Sequence, residues 1–151
     1  MPTVTISAVC DAIHVLFEGA TGIGVVHSYN QLTEGIEDTP LAEVYWQSGN
    51  TDPIGGQDRI AYGAAARATD LVYHVDVYAA TRNDLGENMK TLVDLVDAFW
   101  TRLETITTGD ILGITGVRAI KWQAERVTFE RPAGSAIRFF GFRFVITVRI
   151  F

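Results

Sequence analysis

Between residues 136 and 150, apolar and polar side chains alternate along most of the run, and this pattern constrains the fold more than any other feature of the chain. Phe140, Phe142, Phe144, Ile146, Val148 and Ile150 fall on one side, and Arg143, Thr147 and Arg149 on the other. A period of two belongs to a β-strand, whose successive side chains leave opposite faces. Six large apolar groups on one face require a cover, because burying each contributes about 1.5–3 kcal/mol.

The sequence also supplies the cover. Leu85, Met89, Leu92, Val96, Phe99 and Leu103 recur at 4-3-4-3-4 spacing, and Val93, Leu95 and Trp100 widen the stripe. That period predicts a helix capped by Asn83 or Asp84 and ending at Leu103 or Thr105. A first helix is predicted over residues 4–18 from Ile6, Val9, Cys10, Ile13, Leu16 and Phe17. Thr3 or Thr5 would cap its start, and Gly19 would supply a left-handed residue at its end.

Residues 24–30 and 41–47 read as strands. Residues 70–80 alternate, with Leu71, Tyr73, Val75, Val77 and Ala79 on one face and Val72, His74, Asp76 and Tyr78 on the other. Residues 117–130 form a weakly patterned strand, joined to 136–150 by Arg131-Pro132-Ala133-Gly134-Ser135 as an antiparallel hairpin. The expected class is α+β: a mainly antiparallel sheet of four or five strands with two α-helices packed on one face. Residues 1–151 are read as a single domain. Within it, the low-hydrophobicity stretch 48–69 is expected to be partly extended and to project as an arm, since structureless loops of that length are uncommon in compact domains.

Charge is unevenly spread. Residues 1–98 hold 14 acidic and 4 basic side chains, whereas residues 99–151 hold 4 acidic and 8 basic. Such a bipolar subunit can set its basic part against the acidic part of a neighbouring copy. The overall net charge of −6 argues against tight DNA binding, which needs clustered cations. Arg118, Lys121, Arg126, Arg138, Arg143 and Arg149 do interleave with Trp122, Phe139 and Phe151 as a nucleic-acid-binding sheet might, but no RNA-binding signature accompanies them.

No run is long and apolar enough for a membrane span, and no signal peptide is expected at the start. The single Cys10 excludes an internal disulfide and fits a reducing interior. Catalytic, cofactor and metal sites are all expected to be absent. His14, His27 and His74 are scattered. Gly19-Ala20-Thr21-Gly22-Ile23-Gly24 follows a helix instead of a strand and so does not cradle phosphate. Cys10 and His14 lie four apart, but Cys10 falls on the apolar stripe. His74 and Asp76 share a strand face and could form an acid–base pair. A solvent or interface face is the preferred reading for both.

The order of elements resembles a known family. It runs from the strand and Tyr29 near Val25, through Pro40 to the aromatic strand ending at Trp46, and then the long polar excursion. Next come Val72-Tyr73-His74-Val75-Asp76-Val77-Tyr78-Ala79, Asn83-Asp84-Leu85 with its helix, and the closing Phe-Arg-Phe-Val-Ile-Thr-Val-Arg. The chain is similar in this respect to the tail terminator (tail completion) proteins of bacteriophages with long non-contractile tails. The resemblance implies a virion structural protein, assembled in the host bacterial cytoplasm, that forms a homo-oligomeric ring, expected to be a hexamer. The ring would end tail-tube polymerisation, contact the tail tube protein and a head connector or adaptor protein, and let DNA pass its lumen unbound. Another neck, head–tail adaptor or tube-related part is the nearest alternative, and a small ligand-binding domain or enzyme the next. Candidate partner contacts are Asp52, Ile54, Arg59 and Arg67 in the arm, His74 and Asp76 on the central strand, and Arg138, Arg143 and Arg149 in the hairpin. Reversing Arg143 and Arg149 is expected to weaken assembly and leave the fold's melting unchanged.

Overall fold

The computed structural model describes residues 4–27, 40–53, 67–81, 85–106, 111–130 and 138–150. These form helix α1 (Ile6–Glu18), strand β1 (Val25–His27), strands β2 (Leu41–Pro53) and β3 (Arg67–Thr81), helix α2 (Leu85–Glu104), and strands β4 (Val117–Glu130) and β5 (Arg138–Ile150). A short 3-10 turn, Ile111–Gly113, precedes β4. The strands make one sheet in the order β1-β2-β3-β5-β4. Only β1 runs parallel to its neighbour; the other three pairings are antiparallel. The expected α+β architecture is therefore the observed one, with both helices on the sheet.

Local chemistry explains most of the boundaries. The Thr5 side chain accepts a hydrogen bond from the Ala8 amide at 3.1 Å, capping α1. Gly19 does not end α1 in the left-handed region, as its φ is −83°. It does lie close to α2: an added Cβ would fall 3.0 Å from the Arg102 guanidinium. Arg102, in the last turn of α2, donates from Nε to the Leu16 carbonyl at 2.8 Å. A cation thus satisfies an unpaired acceptor at the C-terminal end of α1. The proposed caps Asn83 and Asp84, and the turn 131–135, lie outside the described residues.

Beneath the helices the two apolar stripes meet. Phe17 of α1 stacks on Phe99 of α2 with centroids 4.6 Å apart, and Phe99 meets Phe142 and Phe144 of β5. Tyr73, Val75, Val77, Ile146 and Val148 complete this core. Tyr73 is buried, but its hydroxyl reaches the Ile6 carbonyl at 2.9 Å, so its polar end is satisfied.

The strands read as 41–47 and 70–80 are longer than expected and take in both ends of the 48–69 stretch. β2 continues to Pro53 and β3 starts at Arg67, and the two pair from Leu41↔Tyr78 to Pro53↔Arg67. Ser48, Gly49, Asn50 and Asp52 have little intrinsic strand preference; antiparallel pairing to β3 decides their state. A bulge between Trp46 and Ser48 shifts the register. Among the described residues, β3 pairs with β5 as far as Thr69↔Ile150, and the β2–β3 ladder continues past that point through Asp52↔Ala68 and Pro53↔Arg67. Residues 54–66, including Ile54 and Arg59, lie outside the described residues.

Candidate interaction surface

The sheet face turned away from the helices holds the polar cluster. Antiparallel register sets Asp76 of β3 beside Glu43 of β2 and Arg143 of β5, and sets His74 beside Tyr45. Arg143 donates to Asp76 from Nε at 2.6 Å and from Nη2 at 3.1 Å. The Tyr45 hydroxyl donates to Asp76 Oδ2 at 2.7 Å. The Asp76 side chain is only 5 % exposed and that of Arg143 27 %. Burying a carboxylate this deeply is costly unless it is paired, and three donors meet that need. Tyr45 titrates well above an ordinary tyrosine, first because it is buried and then because it donates to Asp76. His74 Nδ1 lies 3.4 Å from the Tyr45 hydroxyl. Burial, and next the Arg143 charge, hold His74 below the usual histidine value, which favours a neutral ring.

Toward one end of the sheet this face becomes apolar. Leu41, Tyr78, Phe129 and Phe139 form a second buried cluster, and the Tyr78 hydroxyl donates to the buried Glu43 at 3.2 Å. Gly141 sits within this region because β5 approaches β3 closely there. A Cβ on Gly141 would fall 1.7 Å from the Val77 carbonyl oxygen. Toward the other end, Arg149 makes a two-pronged pair with Asp70, both bonds at 2.8 Å.

His74, Asp76 and Arg143 therefore come together, and Arg149 lies further along the same face. Both arginines have acidic partners within the chain. Reversing Arg143 would strike the fold along with any contact, so the expectation of unchanged melting is revised. Asp76 is buried, so the solvent or interface reading of its strand face does not hold at that position. Asp52 and Arg67 lie at the far end of the β2–β3 ladder, opposite Ala68 and Pro53. Arg138 is exposed at the far end of β5, opposite Glu130. Tyr45, Glu43, Tyr78 and Asp70 were not singled out from sequence. Their only signal was membership of alternating strands, and the register that joins them is tertiary.

The basic and aromatic residues of the last hairpin are divided between the two faces of the sheet. Trp122 packs on the helix side against Trp100, and Phe139 is buried. Lys121, Arg143 and Arg149 belong to the opposite face, so these residues do not build a stacking platform for bases. Cys10 and His14 are likewise directed apart. The Cys10 thiol donates to the Val44 carbonyl at 3.9 Å, while His14 Nε2 contacts the Val26 carbonyl at 2.7 Å. Among the described residues, no group of three or more His, Cys, Asp or Glu side chains could hold a metal, and no helix is long and apolar enough to cross a membrane.

Charge varies across the width of the sheet as well as along the chain. No Lys or Arg occurs before Arg59, so α1, β1 and β2 contain none. At the other side, β4 and β5 carry six basic residues and two acidic ones. Four of the exposed large apolar residues also divide between the two sides. Ile6 and Trp46, each 44 % exposed, flank the α1–β2 side; Val93 and Trp100, 50 % and 38 % exposed, lie on α2, where Trp100 meets β4 through Trp122. No family model matches the chain, and no curated protein matches it.

Proposed function

We propose that the chain is a structural subunit that assembles side by side into a ring at the head-proximal end of a bacteriophage tail. There it ends tube growth and offers a surface to the head connector. The observation that carries this reading is the lateral segregation of charge: the elements α1, β1 and β2 contain no Lys or Arg, and β4 and β5 on the opposite side carry six. Unlike patches on opposite sides of one subunit favour head-to-tail contacts, and such contacts close into rings when the rotation per subunit divides a full turn. The activity is geometric, with no bond made or broken. The resemblance in element order to tail terminators supplies the biological setting, and the far end of the β2–β3 ladder a segment suited to reaching a neighbour.

Sedimentation and electron microscopy, with and without purified tail tubes, test the proposal. Rings, either in solution or on tube ends, are the expected result. Reversing Lys121 and Arg126, both exposed on β4, is expected to abolish them and leave the melting temperature nearly unchanged. A chain that neither self-associates nor binds tube ends or connectors would overturn the assignment. Labelling the subunit in an intact particle separates a terminator from another neck component.

A further inference from the structure

The strand order leaves β4 at the margin of the sheet, and among the described residues no strand lies on its outer side. At 14 residues it is a long edge. An edge offers a row of unpaired backbone donors and acceptors, and the group that satisfies such a row is another strand. Side chains then decide which strand. On the polar face of β4, Lys121, Gln123 and Glu125 follow one another, and all three are exposed. Neither Lys121 nor Glu125 has an ion-pair partner among the described residues. On the helix face Trp122 and Ala124 alternate with them, and Trp100 of α2 stands edge-on to Trp122 with centroids 6.0 Å apart.

We infer that β4 pairs antiparallel with β4 of a second copy of this chain, about a twofold axis through Gln123. Residues equally far from position 123 on its two sides then face each other. Lys121 meets Glu125 of the partner copy, and by symmetry Glu125 meets Lys121. Trp122 meets Ala124, and Ala119 meets Val127. The two Gln123 side chains meet at the axis, where each amide can donate to the other. Opposite charges and a large–small pair favour that register. A centre at Lys121 or Glu125 would set like charges face to face, and a centre at Trp122 or Ala124 would lose both ion pairs. Arg126 would fall opposite Ile120 and diagonal to Trp122. Beside Trp122 stands Trp100, whose indole N–H donates to the Glu104 carboxylate, so the charge that Arg126 approaches there is negative. A twofold contact requires one patch that complements itself, and residues 119–127 do so. The inference goes beyond the ring reading and does not rest on it. Because that reading also uses the β4 side, the two associations would compete, and the pair would hold free subunits off ring closure until a tube end displaces it.

Sedimentation equilibrium of the full chain and its charge variants tests the pairing. The parent chain is expected to form dimers. Lys121→Glu and Glu125→Lys each place like charges opposite one another at both symmetry-related positions, and each should weaken dimerisation by roughly tenfold or more. The double variant carrying both substitutions should regain the parent affinity. An equal mixture of the two single variants should form mixed dimers, because one copy then carries only acids at these positions and the other only lysines. Both positions are exposed, so the variants should melt close to the parent. Hydrogen exchange reads the same contact without substitution: the outward amides of residues 119–127 should gain protection as the parent's concentration rises, and the amides of α1 should not. A parent chain that stays monomeric up to millimolar concentration would overturn the pairing, as would dimers or rings whose β4 amides gain no protection. A double variant as weak as either single would overturn the register.

Discussion

The same strands build both faces of the sheet, yet the faces are held by different physics. Under the helices, the even-numbered residues of β5 pack Phe142, Phe144, Ile146 and Val148 against Phe17 and Phe99. On the other side, Arg143 and Arg149 form charge pairs with the β3 carboxylates Asp76 and Asp70. The apolar face draws its stability from area removed from water and needs no specific partner for any one group. The polar face needs a specific partner for each charge, and in return fixes how β2, β3 and β5 register. The apolar face therefore tolerates apolar swaps that conserve volume, and the polar face tolerates changes made in pairs.

The largest expected effect lies on the apolar face. Phe144→Ala should cost about 3–5 kcal/mol, read by urea unfolding, because it removes a fully buried ring that touches Phe17, Phe99 and Phe142. A loss under about 1 kcal/mol would mean that the face is not close-packed. A somewhat smaller loss, about 3 kcal/mol, is expected for Asp76→Ala, which leaves Arg143 and Tyr45 without their acceptor in a half-buried site. Replacing both charges together, as Asp76→Leu with Arg143→Met, should recover most of that loss. If the double variant is as unstable as the sum of the singles, the pair is not the unit of stability claimed above.

The smallest effect belongs to Asp70. Its pair with Arg149 is more exposed, so Asp70→Asn should cost only about 0.5–1 kcal/mol. The Arg149 hydrogen bonds hold Asp70 below the usual carboxylate range. A carboxylate depressed in the folded state stabilises above its ordinary value near 3.8 and loses that contribution as pH falls through the lower folded value. The difference in stability between parent and variant should accordingly shrink in acid. A difference that stays constant from pH 7 to pH 2 would remove Arg149 as the cause.

Element type was legible in the sequence wherever one face of an element is buried. The alternation from Phe140 to Ile150 and the stripe from Leu85 to Leu103 each report a strand or helix directly, because burial imposes its period on the residue order. The failures have a shared cause. Residues 48–69 were expected to be partly extended, but the end of β2 at Pro53 was not legible because neither side-chain row of Ser48 to Asp52 is apolar; pairing with β3 sets it. Gly19 looked like a left-handed cap, but its φ is −83° and its Cα lies beside the guanidinium of Arg102, from a helix 83 residues away in sequence. The polar cluster was half visible: His74 and Asp76 share a strand face, but Tyr45 and Arg143 reach them through pairing with two other strands.

The sequence alone determined which segments are helix or strand, which of their sides is apolar, and that the two ends of the chain carry opposite charge. These properties are local sums over neighbouring residues. Tertiary structure decided the strand order β1-β2-β3-β5-β4, and with it which charges meet. Because β5 lies between β3 and β4, Arg143 finds Asp76 and Arg149 finds Asp70, while the cations of β4 are carried to the side of the sheet opposite α1 and β2. That placement converts a gradient along the chain into a gradient across a surface, and no local pattern encodes it.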